Sequence, residues 1–268
     1  MASIEGDFST GLVAHYKLEE SSGTRSDEVA SSDLTDNNTV TQGTGKIDNC
    51  ASFSAGNSEY LNNTTFATFS TTDDISVSCW AYFDDFGSSG ASRGVWSGSF
   101  GNGTNYRYGS IRTYNNGGTV DIRYYYTAGS GKEAYYQHAV SGSFSTGEWV
   151  HVVFTVEYGV YTRMYINGSE VGTPFDISTF TYNSASYKNF FVGSEASPAG
   201  SPYAGRYMNG DVDEVTVWST LLSGTDVSTI YNSGDGIEFD APAVTTSIAK
   251  VDGIAQADIL KYDGLILE

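Results

Sequence analysis

Apolar residues recur at every second position through most of this chain. Residues 75–83, 120–126 and 150–156 all alternate in this way. In residues 120–126, one face carries Val120, Ile122, Tyr124 and Tyr126, and the other carries Asp121, Arg123 and Tyr125. Period two belongs to the β-strand, where successive side chains point to opposite faces. The pattern therefore predicts half-buried strands and excludes a mainly helical fold.

Turn signals separate these strands, and one short helix signal follows them. Asn167-Gly168 links two apolar runs and predicts a hairpin with a type I′ turn. Ser223 and Asp226 have the spacing of a capping box and predict a helix of about two turns. Many strands with a single helix predict an all-β fold, a two-sheet antiparallel jelly-roll sandwich.

The last part of the chain contains an internal repeat. Residues 248–254 (IAKVDGI) are followed by a similar run at 259–265 (ILKYDGL). Each copy predicts a short strand and an Asp-Gly turn, and isolated hairpins need other surfaces to pack on. We therefore predict an assembly or docking element, with packing on its own domain as the alternative. The predicted organisation is an N-terminal arm at 1–10, a jelly-roll domain at 11–236, a linker at 237–247 and a short β-hairpin repeat at 248–268.

The net negative charge of the chain limits the classes of molecule that it can bind. The chain has 32 acidic and 13 basic residues, with a formal net charge of −19. Nucleic-acid binding needs a basic surface, so we predict no nucleic-acid partner. We also predict no membrane insertion, because no apolar run approaches the length of a membrane-spanning helix. Cys50 and Cys79 both lie in strand-like runs, and the sequence leaves open whether they are buried thiols or one disulfide.

Six segments in chain order resemble the laminin-G-like, or concanavalin A-like lectin/glucanase, domains of bacteria and phages. The segments are GLVAHYKLEESSG from Gly11, GKIDNCASF from Gly45, ISVSCWA from Ile75, EWVHVVFT from Glu148, MYING from Met164 and NGDVDEVTVW from Asn209. The resemblance implies a concanavalin A-like jelly roll and a binding role, although fold alone does not fix function.

The same resemblance implies calcium as a candidate cofactor. The family's usual calcium region corresponds to Asp27, Asp33 and Asp213 in this sequence. Carboxylates and loop carbonyls suit calcium, which takes six to eight oxygen ligands. Residues 28–30 interrupt the family's loop pattern, and ordinary loop acids are the alternative interpretation.

No catalytic residues are predicted. Glucanases of this fold use two close carboxylates on one strand, and the nearest counterpart here is Asp211 with Asp213 and Glu214. These acids lie on the predicted final core strand, and the Glu expected by the motif does not follow them. We therefore predict a protein that is not an enzyme.

A tyrosine-rich stretch in the middle of the chain is the predicted glycan-binding region. Tyr124, Tyr125 and Tyr126 place aromatic rings on both faces of one strand, and Arg107 and Arg123 lie close in sequence. Tyrosine rings stack on sugars, and arginines bind acidic sugars or stack on rings. The alternative is a large sandwich that uses tyrosine to form strands and to fill interfaces.

The predicted function is a non-catalytic virion structural or adhesion protein of a bacteriophage. Repeats such as residues 248–254 resemble segments of phage structural proteins. The expected location is the virion surface, on capsid or tail, or otherwise extracellular. The expected partners are a host-surface glycan and, through residues 248–268, other virion proteins or a homo-oligomer such as a trimer. The alternatives are a capsid decoration or cementing protein without ligand, and a bacterial lectin-like adhesin.

Overall fold

The fold is an antiparallel β-sandwich with one short helix. The computed structural model of the protein describes residues 8–70, 72–101, 106–129, 132–181, 187–239, 250–251 and 254–255. Within these residues two large antiparallel sheets share one core. This arrangement confirms the predicted all-β jelly roll.

The strands are, in chain order, β1 Leu12–Tyr16, β2 Thr35–Asn37, β3 Thr41–Thr44, β4 Asn49–Phe53, β5 Tyr60–Asn63, β6 Ile75–Phe83, β7 Ser92–Gly101, β8 Tyr106–Asn116, β9 Thr119–Gly129, β10 Lys132–Ala139, β11 Trp149–Glu157, β12 Tyr161–Ile166, β13 Ser169–Asp176, β14 Asn189–Val192, β15 Ser194–Ala196, β16 Pro202–Tyr207, β17 Gly210–Trp218, β18 Lys250–Val251 and β19 Ile254–Ala255. The α-helix, α1, spans Gly224–Tyr231, and short 3₁₀ turns lie at Ala55–Asn57 and Asn232–Gly234.

Two sheets form the sandwich. The first sheet runs β13-β12-β11-β6-β17-β4-β3, and β1 also pairs with β17. The second sheet runs β10-β9-β8-β7-β14-β5-β2. Strands β15 and β16 pair only with each other and form a separate hairpin. Strands distant in sequence, such as β6 and β17, are therefore neighbours in the sheet.

Local sequence signals account for the strand faces and turns. In β6, Val77 and Cys79 point into the shared core, as the alternation predicts. Asn167 and Gly168 adopt φ values of 48° and 77°, both in the left-handed region that a type I′ turn requires. Ser223 caps α1, and Asp226 completes the predicted capping box.

Helix α1 and residues at both ends of the described body pack on the outer face of the first sheet. A second apolar cluster there joins Val153 and Trp218 of the sheet to Ile230 of the helix. Phe8 from the predicted N-terminal arm packs in this cluster, and so does Phe239 from the predicted linker. The packed body thus extends a few residues beyond both ends of the predicted 11–236 domain.

The outer face of the second sheet is covered only in part, by the β15–β16 hairpin. Tyr108 Oη donates to the Ala196 carbonyl at 2.5 Å, and Ser97 Oγ donates to the Ser194 carbonyl at 3.2 Å. Gly94 of β7 permits this close approach, because a Cβ there would lie 2.3 Å from the Glu195 amide nitrogen. Beside the hairpin, the outer face of β8 and β9 carries an open cavity.

The first hairpin of the C-terminal repeat is formed. Strand β18 pairs antiparallel with β19, with Lys250 opposite Ala255 and Val251 opposite Ile254. The second copy at 259–265 and most of the predicted linker lie outside the described residues. Among the residues that the structure describes, no helix combines the length and hydropathy needed to cross a bilayer.

Cys50 and Cys79 are free and buried. They lie on β4 and β6, which flank β17 in the first sheet. Of the two alternatives that the sequence left open, the structure therefore has buried thiols.

Candidate functional site

An open cavity of about 560 Å³ lies on the outer face of the second sheet, beside the β15–β16 hairpin. Arg112 and Tyr114 of β8 and Arg123 of β9 form its floor. Residues 88–92 form one wall, and residues 204–206 of β16 form the other. We call this cavity the arginine groove. Its volume lies within the range typical of small-molecule sites.

Strand alternation directs the two floor arginines outward. Ile111 and Ile122 are fully buried in the shared core, so the next residue on each strand faces the opposite side of the sheet. Those residues are Arg112 and Arg123, which are direct cross-strand partners in the β8–β9 register. Like charges directly opposite each other destabilise a sheet. The groove therefore contains an arrangement that the fold alone does not favour.

A buried carboxylate holds two of the groove arginines. Glu195 of β15 is only 3% exposed and accepts hydrogen bonds from Arg112 Nη1 and, at 2.7 Å, from Arg206 Nη1. Arg123 Nη2 donates separately to Asp121 Oδ2 at 3.3 Å. The hairpin thus brings both Glu195 and Arg206 to the edge of the open sheet face.

Tyrosine rings surround the same guanidinium groups. The Arg123 guanidinium carbon lies 3.9 Å from the centre of the Tyr114 ring and 5.5 Å from that of Tyr135. The guanidinium carbon of Arg206 lies 4.6 Å from the centre of the Tyr203 ring. Tyr135 and Tyr203 are 38% and 39% exposed, which places them among the most exposed large apolar side chains in the described residues. They give this surface two accessible aromatic faces.

Three of the five predicted glycan-binding residues face the core, and this is a correction. Tyr124 and Tyr126 are 1% and 2% exposed, because they share the inward face of β9 with Ile122. Arg107 is 1% exposed and donates to the main-chain carbonyls of Asp73 and Ser70. None of these three side chains can contact a ligand in solution.

The other two predicted residues lie on the outward face. Arg123 is in the groove floor, and Tyr125 is half-buried with its ring centre 5.8 Å from that of Tyr108. Sequence reasoning missed Glu195, Tyr203 and Arg206. These residues reach the groove only because the β15–β16 hairpin folds back over β7 and β8, and no local pattern signals that contact.

The structure does not bring the predicted calcium residues together into one group of three metal-ligating side chains. Asp27 accepts main-chain hydrogen bonds from His15, Val29 and Ser32, and Asp33 accepts one from the Asp27 amide. Asp213 is fully buried on β17 and accepts main-chain hydrogen bonds from Ile47 and Glu214. In the described residues no three His, Cys, Asp or Glu side chains are grouped so that they could hold a metal. These carboxylates instead bind backbone amides.

Asp213 belongs to a buried polar cluster with Glu214 and His15. Burial raises the pKa of Asp213 to about 7 and raises the pKa of Glu214 well above its usual value. Burial lowers the pKa of His15 to about 4. His15 Nε2 lies 3.5 Å from Glu214 Oε2, and its lowered pKa leaves His15 uncharged at neutral pH. The cluster is closed to solvent and does not line the groove.

The fold and the groove define a class of protein: a concanavalin A-like sandwich with an open polar site on one sheet. The profile of the concanavalin A-like lectin/glucanases superfamily matches residues 55–228. The chain therefore belongs to this superfamily, as its motifs predicted. No curated protein matches it.

Solved structures with the same fold include several binding domains. The binding domain of Paraclostridial Mosquitocidal Protein 1 is 17% identical, with a TM-score of 0.62 over 83% of this chain and 52% of that one. Domain 4 of an extracellular arabinanase from Geobacillus stearothermophilus, solved with arabinotriose, is 18% identical, with a TM-score of 0.54 over 81% and 97%. The ligand-binding domain of botulinum neurotoxin serotype D, solved with N-acetylneuraminic acid, is 15% identical, with a TM-score of 0.57 over 84% and 51%. This chain thus spans about half of the two toxin domains, and the likeness establishes the fold.

Proposed function

We propose that this chain is a non-catalytic binding module that holds a glycan in the arginine groove. The observation that carries the proposal is the pair of exposed tyrosines, Tyr135 and Tyr203, beside an open polar cavity. Aromatic faces stack on sugar rings, and arginine and serine side chains supply donors for hydroxyl groups. The sugars named for two solved relatives support the same class of ligand.

The residues around the groove favour binding over hydrolysis. Glycoside hydrolases generally use two carboxylates that flank the scissile bond. No Asp or Glu is among the residues that line the arginine groove. Glu195 and Asp121 lie beside the groove, and each is paired with a groove arginine.

A glycan array followed by calorimetry on any positive sugar tests the proposal. We expect Tyr203→Ala and Tyr135→Ala each to weaken binding about 3- to 10-fold, the loss of one aromatic contact. Tyr161→Ala is the matched control. Tyr161 is 37% exposed and its ring centre lies 5.3 Å from an arginine, Arg163, but it is on the first sheet, away from the groove.

Two results would overturn the glycan proposal. One is an array with no sugar above background for the intact chain. The other is equal loss of affinity in the Tyr161 control and the two groove variants, since binding would then not involve the groove. Release of reducing sugar from a bound glycan would contradict the non-catalytic part of the proposal.

We further propose that the module is displayed on a virion surface and anchored through residues 248–268. The repeat in that segment is the supporting observation, together with the β18–β19 hairpin formed by its first copy. Removing residues 248–268 should abolish incorporation into particles and leave glycan affinity unchanged. Normal incorporation of the truncated chain would count against an anchoring role. Incorporation that depends on the segment, without any glycan binding, would favour a cementing protein.

A further inference from the structure

The arginine groove concentrates positive charge on a strongly acidic protein. The chain has a formal net charge of −19, yet three of its seven arginines line this one cavity. Those arginines are Arg112, Arg123 and Arg206, and no carboxylate lines the cavity beside them. A local positive surface on an acidic protein attracts anions selectively, because the rest of the molecule repels them.

The carboxylates beside the groove neutralise only part of this charge. Glu195 is shared between Arg112 and Arg206, and Asp121 pairs with Arg123. Three guanidinium groups therefore face two carboxylates, which leaves one positive charge in excess. The side chains of Arg112 and Arg123 are each 14% exposed, and that of Arg206 is 37% exposed. The charge is thus held close to the groove surface.

Most N–H donors of these guanidinium groups have no acceptor among the described protein groups. Each guanidinium has five N–H donors. Within the described residues, Arg112, Arg123 and Arg206 each donate one hydrogen bond to a protein group. Arg112 and Arg123 are moreover held opposite each other in the strand register, where their repulsion would be relieved by an anion.

The structure assigns the groove to an acidic glycan, and we propose that a sugar carboxylate or sulfate binds Arg206 together with the floor arginines. This inference rests on the proposed glycan-binding function and names its ligand class. Arginine binds carboxylate and sulfate-like oxyanions through paired N–H groups. Tyr203, stacked with Arg206, then lies beside the sugar ring.

Matched pairs of acidic and neutral sugars test the assignment on the intact chain. Sialyl-lactose is compared with lactose, an oligogalacturonide with its methyl ester, and a sulfated disaccharide with its unsulfated form. We expect at least one acidic sugar to bind at least about 10-fold more tightly than its neutral partner. A difference of this size corresponds to one good charged contact. The three pairs identify the source of the anion. Raising the salt concentration should weaken binding of that acidic member more than binding of its neutral partner.

Substitutions at Arg206 assign the preference to the groove. Arg206→Gln should reduce the ratio of acidic to neutral affinity at least about 5-fold, and Arg206→Lys should recover only part of it because the paired N–H geometry is lost. Arg163→Gln is the control. Arg163 also combines a tyrosine contact with a carboxylate pair, but it lies on the first sheet. For each variant, a thermal unfolding transition like that of the unmodified protein confirms that the fold is kept.

The outcomes separate this inference from the function on which it rests. Equal affinity for every acidic and neutral pair would overturn the acidic-ligand assignment and leave glycan binding standing. An acidic preference unchanged in Arg206→Gln would overturn the assignment to this groove. Binding of poly-glutamate as tightly as any acidic sugar would also overturn it, because the groove would then recognise charge alone. Failure of every sugar to bind would overturn the proposed function and this inference together.

Discussion

Replacing Glu195 with glutamine tests whether a buried carboxylate holds the groove in shape. Its side chain is 3% exposed, and its partner Arg112 is 14% exposed. Breaking a buried pair of this kind costs about 3–5 kcal/mol. The second partner, Arg206, is 37% exposed, so its pair contributes only about 0.2–1 kcal/mol after solvent screening. Glutamine keeps the shape and one neutral acceptor oxygen, which offsets part of the loss.

We therefore expect Glu195→Gln to lower the free energy of unfolding by about 2–4 kcal/mol. For a chain of this size, that corresponds to a fall of about 4–16 °C in Tm. Urea unfolding followed by tryptophan fluorescence measures the first quantity, and calorimetry measures the second. An unchanged m-value would show that the loss is one of stability rather than of compactness.

Double-mutant cycles then divide the effect between the two arginines. The coupling energy between Glu195 and Arg112 should exceed about 2 kcal/mol, and that between Glu195 and Arg206 should stay below about 1 kcal/mol. Glu157→Gln is the control, because Glu157 forms a comparable but more exposed pair with Arg163. The reasoning is refuted if Glu195→Gln changes stability by less than about 1 kcal/mol, or if the order of the two couplings is reversed.

Two other groups of buried residues give further predictions. Since burial raises the pKa of Asp213 to about 7 and that of Glu214 well above its usual value, the folded protein holds protons that the unfolded chain has released. Unfolding free energy measured from pH 6.5 to 8 should therefore fall as pH rises, and Asp213→Asn should make the fall shallower; a rise with pH would contradict the raised pKa values. Burial also raises the pKa of the Cys50 and Cys79 thiols. Neither should react with a thiol reagent at pH 8 until urea is added, and rapid labelling of the native protein would contradict their burial.

The sequence was sufficient to predict the main alternating strands, the Asn167-Gly168 turn and the fold class. The alternation of buried and exposed side chains depends only on residues that are close together in sequence. The same is true of the Asn167-Gly168 turn and the Ser223 cap, because each depends on local backbone geometry. The pairing of strands was not predictable in the same way. Strand β14 lies between β5 and β7 only because of contacts between residues far apart in the chain.

The errors at the site have a traceable cause. Tyr124 and Tyr126 alternate in step with Ile122, so the same pattern that predicted the strand places them on its inward face. Arg107 shares the face of Ile111 on β8 by the same rule. The sequence thus contained the information to exclude these three residues. It contained no comparable signal for Arg206, which reaches the groove through the fold of the hairpin.

Arg112 and Arg123 face each other across two strands, and this pairing departs from the usual rules for residues in a β-sheet. Cross-strand partners in a stable sheet are commonly apolar or of opposite charge, and two arginines in register weaken the pairing. The fold does not need either guanidinium for its core, since both side chains point to the outer face. Local rules of this kind are broken mainly at functional sites, where other residues compensate. Here the compensation is visible, because Glu195 pairs with Arg112 and Asp121 pairs with Arg123, while no carboxylate is among the residues that line the groove.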